Sequence, residues 1–139
     1  MMKAKRGILG MYWLDNISTE LLQKDLDGLW VRQRAISDNL ANYETPGYKN
    51  KSVSFEDQLR GLLSDTDSSS PAALADSIKN VKPVTAEEKD EQYRADGNGV
   101  DLEQQNLEMA RTVLNYSYAA QAMTDSYSRL ETAVTGNSK

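Results

Sequence analysis

Oxygen-bearing side chains alternate with glycines in Asp96-Gly97-Asn98-Gly99-Val100-Asp101, the kind of arrangement from which calcium loops are made. Such a loop needs Gly at its sixth position and a bidentate Glu at its twelfth; this sequence has Asp101 and Leu107 there. The segment therefore reads as a turn followed by a helix cap. Glu87 with Glu88, and Glu103 with Glu108, supply the residue type for acid-base chemistry, but they fall in polar stretches with no sign of a walled pocket to shift their pKa values. The 139 residues include neither Cys nor His, which excludes disulfides, thiol nucleophiles, zinc and haem ligation and every His-dependent triad. No Gly-rich phosphate loop, GxSxG elbow or HExxH is present. The expectation is of a non-enzymatic chain with no catalytic, cofactor-binding or metal-binding residue. With 21 acidic against 16 basic side chains, a net charge of -5, it is not expected to bind nucleic acid. Arg32 and Arg34 flank Gln33 as helix-surface charge, and Tyr116 and Tyr127 fit packing better than base stacking because of their spacing.

That spacing belongs to the element that carries them. Leu102, Asn106, Met109, Val113, Tyr116, Ala120, Met123, Tyr127, Leu130 and Val134 are separated alternately by four and three residues, the period of a seam between supercoiled helices. At 1.5 Å per residue this seam runs about 48 Å. Asp101 is placed to cap its first turn, with Gln104 in a capping-box position, and Gly136 is a natural stop. A second seam, Leu22, Leu26, Leu29, Gln33, Ile36, Leu40 and Tyr43, follows the same alternation. Its helix must end by Thr45, because Pro46 disfavours the α region for the residue before it. Gln33 and Asn106 are the polar members, a device that can fix register in an apolar seam, or simply wet positions.

Between the seams, Ser54 and Asp57 suggest a cap for a short helix carrying Phe55, Leu59, Leu62 and Leu63. Residues 64–98 are polar, acidic and linker-like, with either a short helix from Pro71 to about Ile78 or a small β-hairpin using Val81, Val84 and Tyr93. Charge is unequal: residues 1–51 carry +2 and residues 52–139 carry -7. Lys3-Ala4-Lys5-Arg6 before an apolar stretch from Ile8 to Leu14 has the outline of a secretory signal, but Gly7 and Gly10 dilute it, Asp15 closes it and no A-x-A site follows. It is expected to be an amphipathic lead-in, uncleaved, with Met11 an alternative initiator. No run approaches the roughly 20 apolar residues of a membrane span. Four regions result: lead-in 1–13, first helix with its turn and short helix 14–63, variable middle 64–98, and C-terminal helix 99–139. The fold class expected is mainly α, two long terminal helices forming an antiparallel coiled-coil hairpin.

The turn after the first seam carries Asn39-Leu40-Ala41-Asn42, then Thr45-Pro46-Gly47-Tyr48, and this stretch resembles the N-terminal signature of bacterial flagellar rod and hook proteins. Gly97-Asn98-Gly99-Val100-Asp101-Leu102-Glu103, with Met109-Ala110, Val113-Leu114, Tyr116 and Leu130, is similar to the C-terminal signature of the proximal rod type. The resemblance covers residues 14–63 and 92–136, and the short middle separates this chain from the larger distal rod and hook members. It implies a structural subunit of the basal-body rod in the cell envelope, polymerising through its terminal helices into the helical tube that transmits torque from motor to hook. It also implies the neighbours: other rod subunits, the adaptor between rod and membrane ring, and the flagellar type III export apparatus, which takes its substrates without a cleaved signal. Phe55 and Leu59 fit the Phe-x-x-x-aliphatic motif that the export gate reads in this family, and equally fit a packed apolar stripe. The assembly surface expected is Leu22, Leu26, Leu29, Ile36 and Leu40 with Leu102, Met109, Val113, Tyr116, Met123, Tyr127 and Leu130. A soluble coiled-coil adaptor or secretion chaperone is the alternative.

Overall fold

The computed structural model describes residues 3–64, 70–88 and 93–136, with side chains from Ile17 onward. In chain order the elements are α1 (Lys3–Ala41), β1 (Lys51–Ser54), α2 (Glu56–Ser64), α3 (Pro71–Lys79), β2 (Val84–Glu87) and α4 (Leu102–Thr135). The protein is mainly helical, with a small two-stranded antiparallel sheet in which Lys51 faces Glu87 and Ser54 faces Val84.

The helix limits follow local chemistry. Asp101 Oδ1 accepts from the backbone N–H groups of Glu103 (2.9 Å) and Gln104 (3.2 Å), two donors that have no partner inside the helix. At the far end Gly136 takes a left-handed φ of 67° and donates to the carbonyl of Thr132. α3 has the expected Ser cap: the side chain of Ser70 accepts from Ala73 N–H ahead of Pro71 in the first turn. α1 begins at Lys3, so residues 3–13 are its first turns and not a separate lead-in. Gly7 and Gly10 cost about 1 kcal/mol each against Ala, a local penalty that a helix already nucleated downstream absorbs.

The middle is less linker-like than its composition suggests. It forms both a helix and a strand, and the strand pairs not with a neighbour in sequence but with β1, more than thirty residues earlier. Ile78 is wholly buried, with Ala75 and Val81 beside it, in one core with Leu29, Ala35, Val53, Phe55 and Leu59. Lys79 reaches Glu20 at 3.5 Å, tying α3 to α1.

The α1 and α4 contacts run in opposite order along the two helices. Asn39 meets Gln105 near one end and Thr19 meets Ser126 near the other. The face that α4 turns inward is not the expected seam. Its buried residues are Gln105, Thr112, Ala119 and Ser126, one every seven positions. Leu102, Val113, Tyr116 and Tyr127 of the expected seam are exposed, at 40 to 57%, while Met109, Met123 and Leu130 are half-buried. Most of the stripe of large residues is thus rotated by about one residue, near 100°, from the interface. Small side chains let α4 approach α1 closely, and the large ones are left pointing outward. On α1 the seam reading is nearer: Leu29 and Ile36 are buried, Leu22, Leu26, Leu40 and Tyr43 half-buried, and Gln33 exposed. Gln33 and Asn106 both face out, so neither fixes register within the chain; the buried polar pair is Asn39 with Gln105.

Phe55 is packed against the backbone of α1 at Gly28, where an added Cβ would lie 2.6 Å from three of its ring carbons. Gly28→Ala would gain about 1 kcal/mol of helix propensity but overpacks this contact at about 1–3 kcal/mol. The variant is expected to unfold at lower denaturant than the parent. Adding Phe55→Leu should recover part of the loss, a non-additivity that chemical denaturation of the double mutant would measure.

Candidate functional site: an asparagine clamp where the long helices meet

α1 stops at Ala41 because its next residues turn back on themselves. Asn42 N–H donates to the carbonyls of Asp38 and Asn39, Thr45 N–H to Asn42, and Tyr48 N–H to Thr45. Gly47 has a φ of 69°, which only glycine adopts without strain, and its N–H donates to the carbonyl of Asp96. Gly99 N–H in turn donates to the carbonyl of Tyr48. The Thr-Pro-Gly-Tyr turn is therefore stitched by its backbone to the segment that leads into α4.

Two wholly buried asparagines fix that junction. Asn98 Nδ2 donates to the carbonyls of Asn42 (3.0 Å) and Thr45 (2.7 Å), while its Oδ1 accepts from Val100 N–H at 2.8 Å. Asn39 Nδ2 donates to the carbonyl of Lys51 (2.8 Å) and to Gln105 Oε1 (3.0 Å); its Oδ1 accepts from Lys51 N–H (2.9 Å) and Tyr48 Oη (3.3 Å). Both polar groups of Lys51 thus pair with one carboxamide as they would with a strand neighbour, on the side of β1 away from β2. A buried amide left unpaired costs about 1–3 kcal/mol per group, so full satisfaction is what makes these positions tolerable.

Charge reinforces the same turn from outside. Lys51 Nζ lies 3.2 Å from Asp38 Oδ2, and that hydrogen bond is the main reason its ammonium is held above the ordinary range, the Tyr48 ring adding to it. Arg94 lies over the Tyr43 ring at 4.9 Å. Further along α1, Arg32 is not the surface charge its neighbours suggest. It grips Glu56 with both ends of its guanidinium, at 2.6 and 2.7 Å, donates to the Val53 carbonyl and covers the Phe55 ring. Burial alone would raise the Glu56 carboxyl, but the hydrogen bonds and charge of Arg32 outweigh it and hold the group below its usual value. Asp25 goes the other way: burial first, then Glu56, push it up against a smaller opposing pull from Arg32.

The signature residues are thus gathered at one place, with Asn39 buried, Leu40, Asn42 and Tyr48 half-buried and Ala41, Thr45, Pro46 and Gly47 exposed on the turn. Phe55 and Leu59 are buried in the core, away from solvent. Gln105, Asn50 and the charge role of Arg32 escape a sequence reading. Asn98 was visible in its Gly-Asn-Gly setting, but as a turn former and not as the bolt that it is. Asp96 Oδ1 accepts from Asn98 N–H and Asp101 caps α4, so the oxygen-rich segment spends its acceptors on backbone donors. Among the described residues no cluster of three or more potential metal ligands occurs, and none of the helices is long and apolar enough to cross a membrane.

Residues 30–49, the end of α1 and the clamped turn, match the family described as Flagella basal body rod protein. The chain is similar to flagellar basal-body rod proteins over most of its length. Its relatives include the flagellar basal body rod protein FlgB of Bacillus subtilis, 28% identical over 130 residues, 88% of this chain and 93% of the relative. FlgB of Borrelia hermsii is 29% identical over 112 residues (73% and 83%), and that of Escherichia coli K12 28% over 103 residues (67% and 75%).

Two outcomes test the electrostatic and clamp geometry. Asn39→Ala and Asn98→Ala should each lower stability by about 3 kcal/mol, since each strands more than one buried partner, against less than about 1 kcal/mol for the exposed Ser37→Ala; urea titrations compare them. For Asp25, the folded state holds the proton more tightly than the unfolded chain, so ionisation subtracts stability as pH rises above 3.8. Asp25→Asn should therefore raise the melting midpoint at pH 7, and the gain should vanish below about pH 4, where both states are protonated.

Proposed function

We propose that the chain is a structural subunit of the flagellar basal-body rod, with α1 and α4 forming an antiparallel helical hairpin that polymerises with neighbouring subunits into the tube that carries torque from motor to hook. The observation that carries this reading is the outward stripe of α4. Leu102, Leu107, Val113, Leu114, Tyr116 and Tyr127 are exposed on a helix whose inward face is made of small and polar residues. A stripe of this length, left bare in the single chain, needs a partner surface from outside it. Contacts between different patches of successive copies propagate as a helical assembly and do not close into a dimer. The family match at residues 30–49 and the similarity to FlgB proteins support the same role.

The partners in this reading are other rod subunits and the adaptor at the membrane ring, with the type III export apparatus delivering the chain without a cleaved signal. Phe55 and Leu59 have two roles at different stages. In the unfolded chain they are accessible to an export gate; in the fold both are buried, Phe55 at 1% exposure. Export recognition would therefore precede folding. A Phe55→Ala chain should lose about 3–5 kcal/mol of stability through the cavity it leaves. Its secretion measured against the parent separates the roles, and normal export with poor assembly would leave packing alone.

Val113→Asp places a charge on the exposed stripe. Circular dichroism and melting of the purified chain should be nearly unchanged, within about 0.5 kcal/mol for an exposed site, while cells carrying the variant as their only copy should be non-motile in soft agar. Swimming cells would contradict the assembly role of the stripe, and a parent chain that forms a sharp, fully folded dimer at all concentrations in sedimentation would favour a soluble adaptor.

A further inference from the structure

Among the described residues one buried side-chain atom has no hydrogen-bond partner, Asn50 Oδ1, on a residue only 6% exposed. The orientation of its amide is fixed. Asn50 Nδ2 donates to Glu88 Oε2 at 2.6 Å, and the Glu88 N–H donates to the Asn50 carbonyl at 2.9 Å, extending the β1–β2 ladder by one pair. Turning the amide over would set its oxygen against the carboxylate. The orphan acceptor lines a cleft of about 280 Å³ between α1, the start of β1 and the first turns of α4. That is several times the roughly 30 Å³ share of one water molecule. Glu88, Gln104 and Glu108 line the same cleft, and so do Arg32 and Lys51.

The two cations and two carboxylates of the lining balance formally, but both cations are already paired with carboxylates outside it. Arg32 is committed to Glu56 and the Val53 carbonyl, and Lys51 to Asp38. Among the described residues the Glu108 carboxylate is paired with Arg111, a side chain itself 62% exposed. What remains is a buried acceptor with carboxylates beside it. A planar group with several N–H donors and a fixed positive charge can bridge such acceptors, where a neutral amide lacks the charge and an ammonium lacks the fork.

We propose that this cleft is a guanidinium-binding socket, filled by Arg34 of a second copy of the chain. Its assignment to a second copy rests on the rod-subunit reading; the socket itself does not. Arg34 stands on the outer face of α1 beside Trp30, which is 57% exposed, with Gln33 and Ser37 around it. Positions 34 and 36 of one helix lie about 200° apart, so the arginine and the socket lined by Ile36 face different directions and serve different neighbours. A knob and a socket on separate faces give the head-to-tail contact that a growing tube requires.

The test follows the Asn50 side-chain amide by NMR in the purified full chain, titrated with N-acetylarginine amide and, separately, with its neutral isostere N-acetylcitrulline amide. The arginine probe should shift the Asn50 and Gln105 amide signals and bind at least tenfold more tightly than the citrulline probe. Glu88→Gln, which keeps an acceptor for Asn50 but drops the charge, should weaken it about tenfold, and Asn50→Leu should abolish it, each with an unchanged circular dichroism spectrum. Equal response to both probes, or none, would overturn the socket whatever the cells do. In the unliganded chain the same signals should move with protein concentration, and should cease to move in Arg34→Gln. Persistence of that movement in Arg34→Gln would overturn Arg34 as the occupant. A deletion strain that still swims would count against the rod reading, leaving the probe titration to decide the socket.

Discussion

One carboxamide joins three parts of the chain that are distant in sequence. Asn39 sits at the end of α1, holds both backbone groups of Lys51 at the start of β1, and meets Gln105 in the first turns of α4. Its oxygen also takes the Tyr48 hydroxyl. In a low-dielectric interior such a network is strong when complete and costly when any member is missing. The place where α1 ends, the register of the strand that follows and the approach of α4 are therefore set together. Asn98 repeats the principle one layer out, on the carbonyls that the turn itself leaves free.

The rest of the architecture divides the apolar surface unequally. The single Phe, with Ile78, Leu29 and Val53, forms a compact core where α1 meets the sheet and the short helices. Against α4, α1 presents large residues to small ones, so the two helices touch through Thr112, Ala119 and Ser126 and not through interlocked leucines. The long helix keeps its adhesive residues for the outside. Much of the apolar surface of α4 is consequently not buried within the single chain.

The caps and stops were legible because they depend on neighbours in sequence: Asp101, Ser70 before Pro71, Gly136 and the turn at Pro46-Gly47 each act within a few residues. The signature around Asn39 was legible as a pattern, but its reason was not, since Lys51, Tyr48 and Gln105 become its partners only in three dimensions. The seam of α4 misled for a physical cause. Periodicity finds where large apolar residues line up, and an exposed apolar stripe lines up in the same way as an internal one. The inward face, Gln105, Thr112, Ala119 and Ser126, has little hydrophobic signal because its residues are small or polar. The pairing of β2 with β1 across two helices had no local mark at all.

The clamp also sets an order of events. Asn39, Asn42 and Thr45 leave the ribosome well before the Gly97-Asn98-Gly99 segment and Gln105 that complete their hydrogen bonds. Until Gln105 has been added, the first helix has no second half to lock onto and the turn remains an open hinge. A protein whose latch lies this late in translation stays pliable while it is being made, and acquires its final shape only when the last helix arrives.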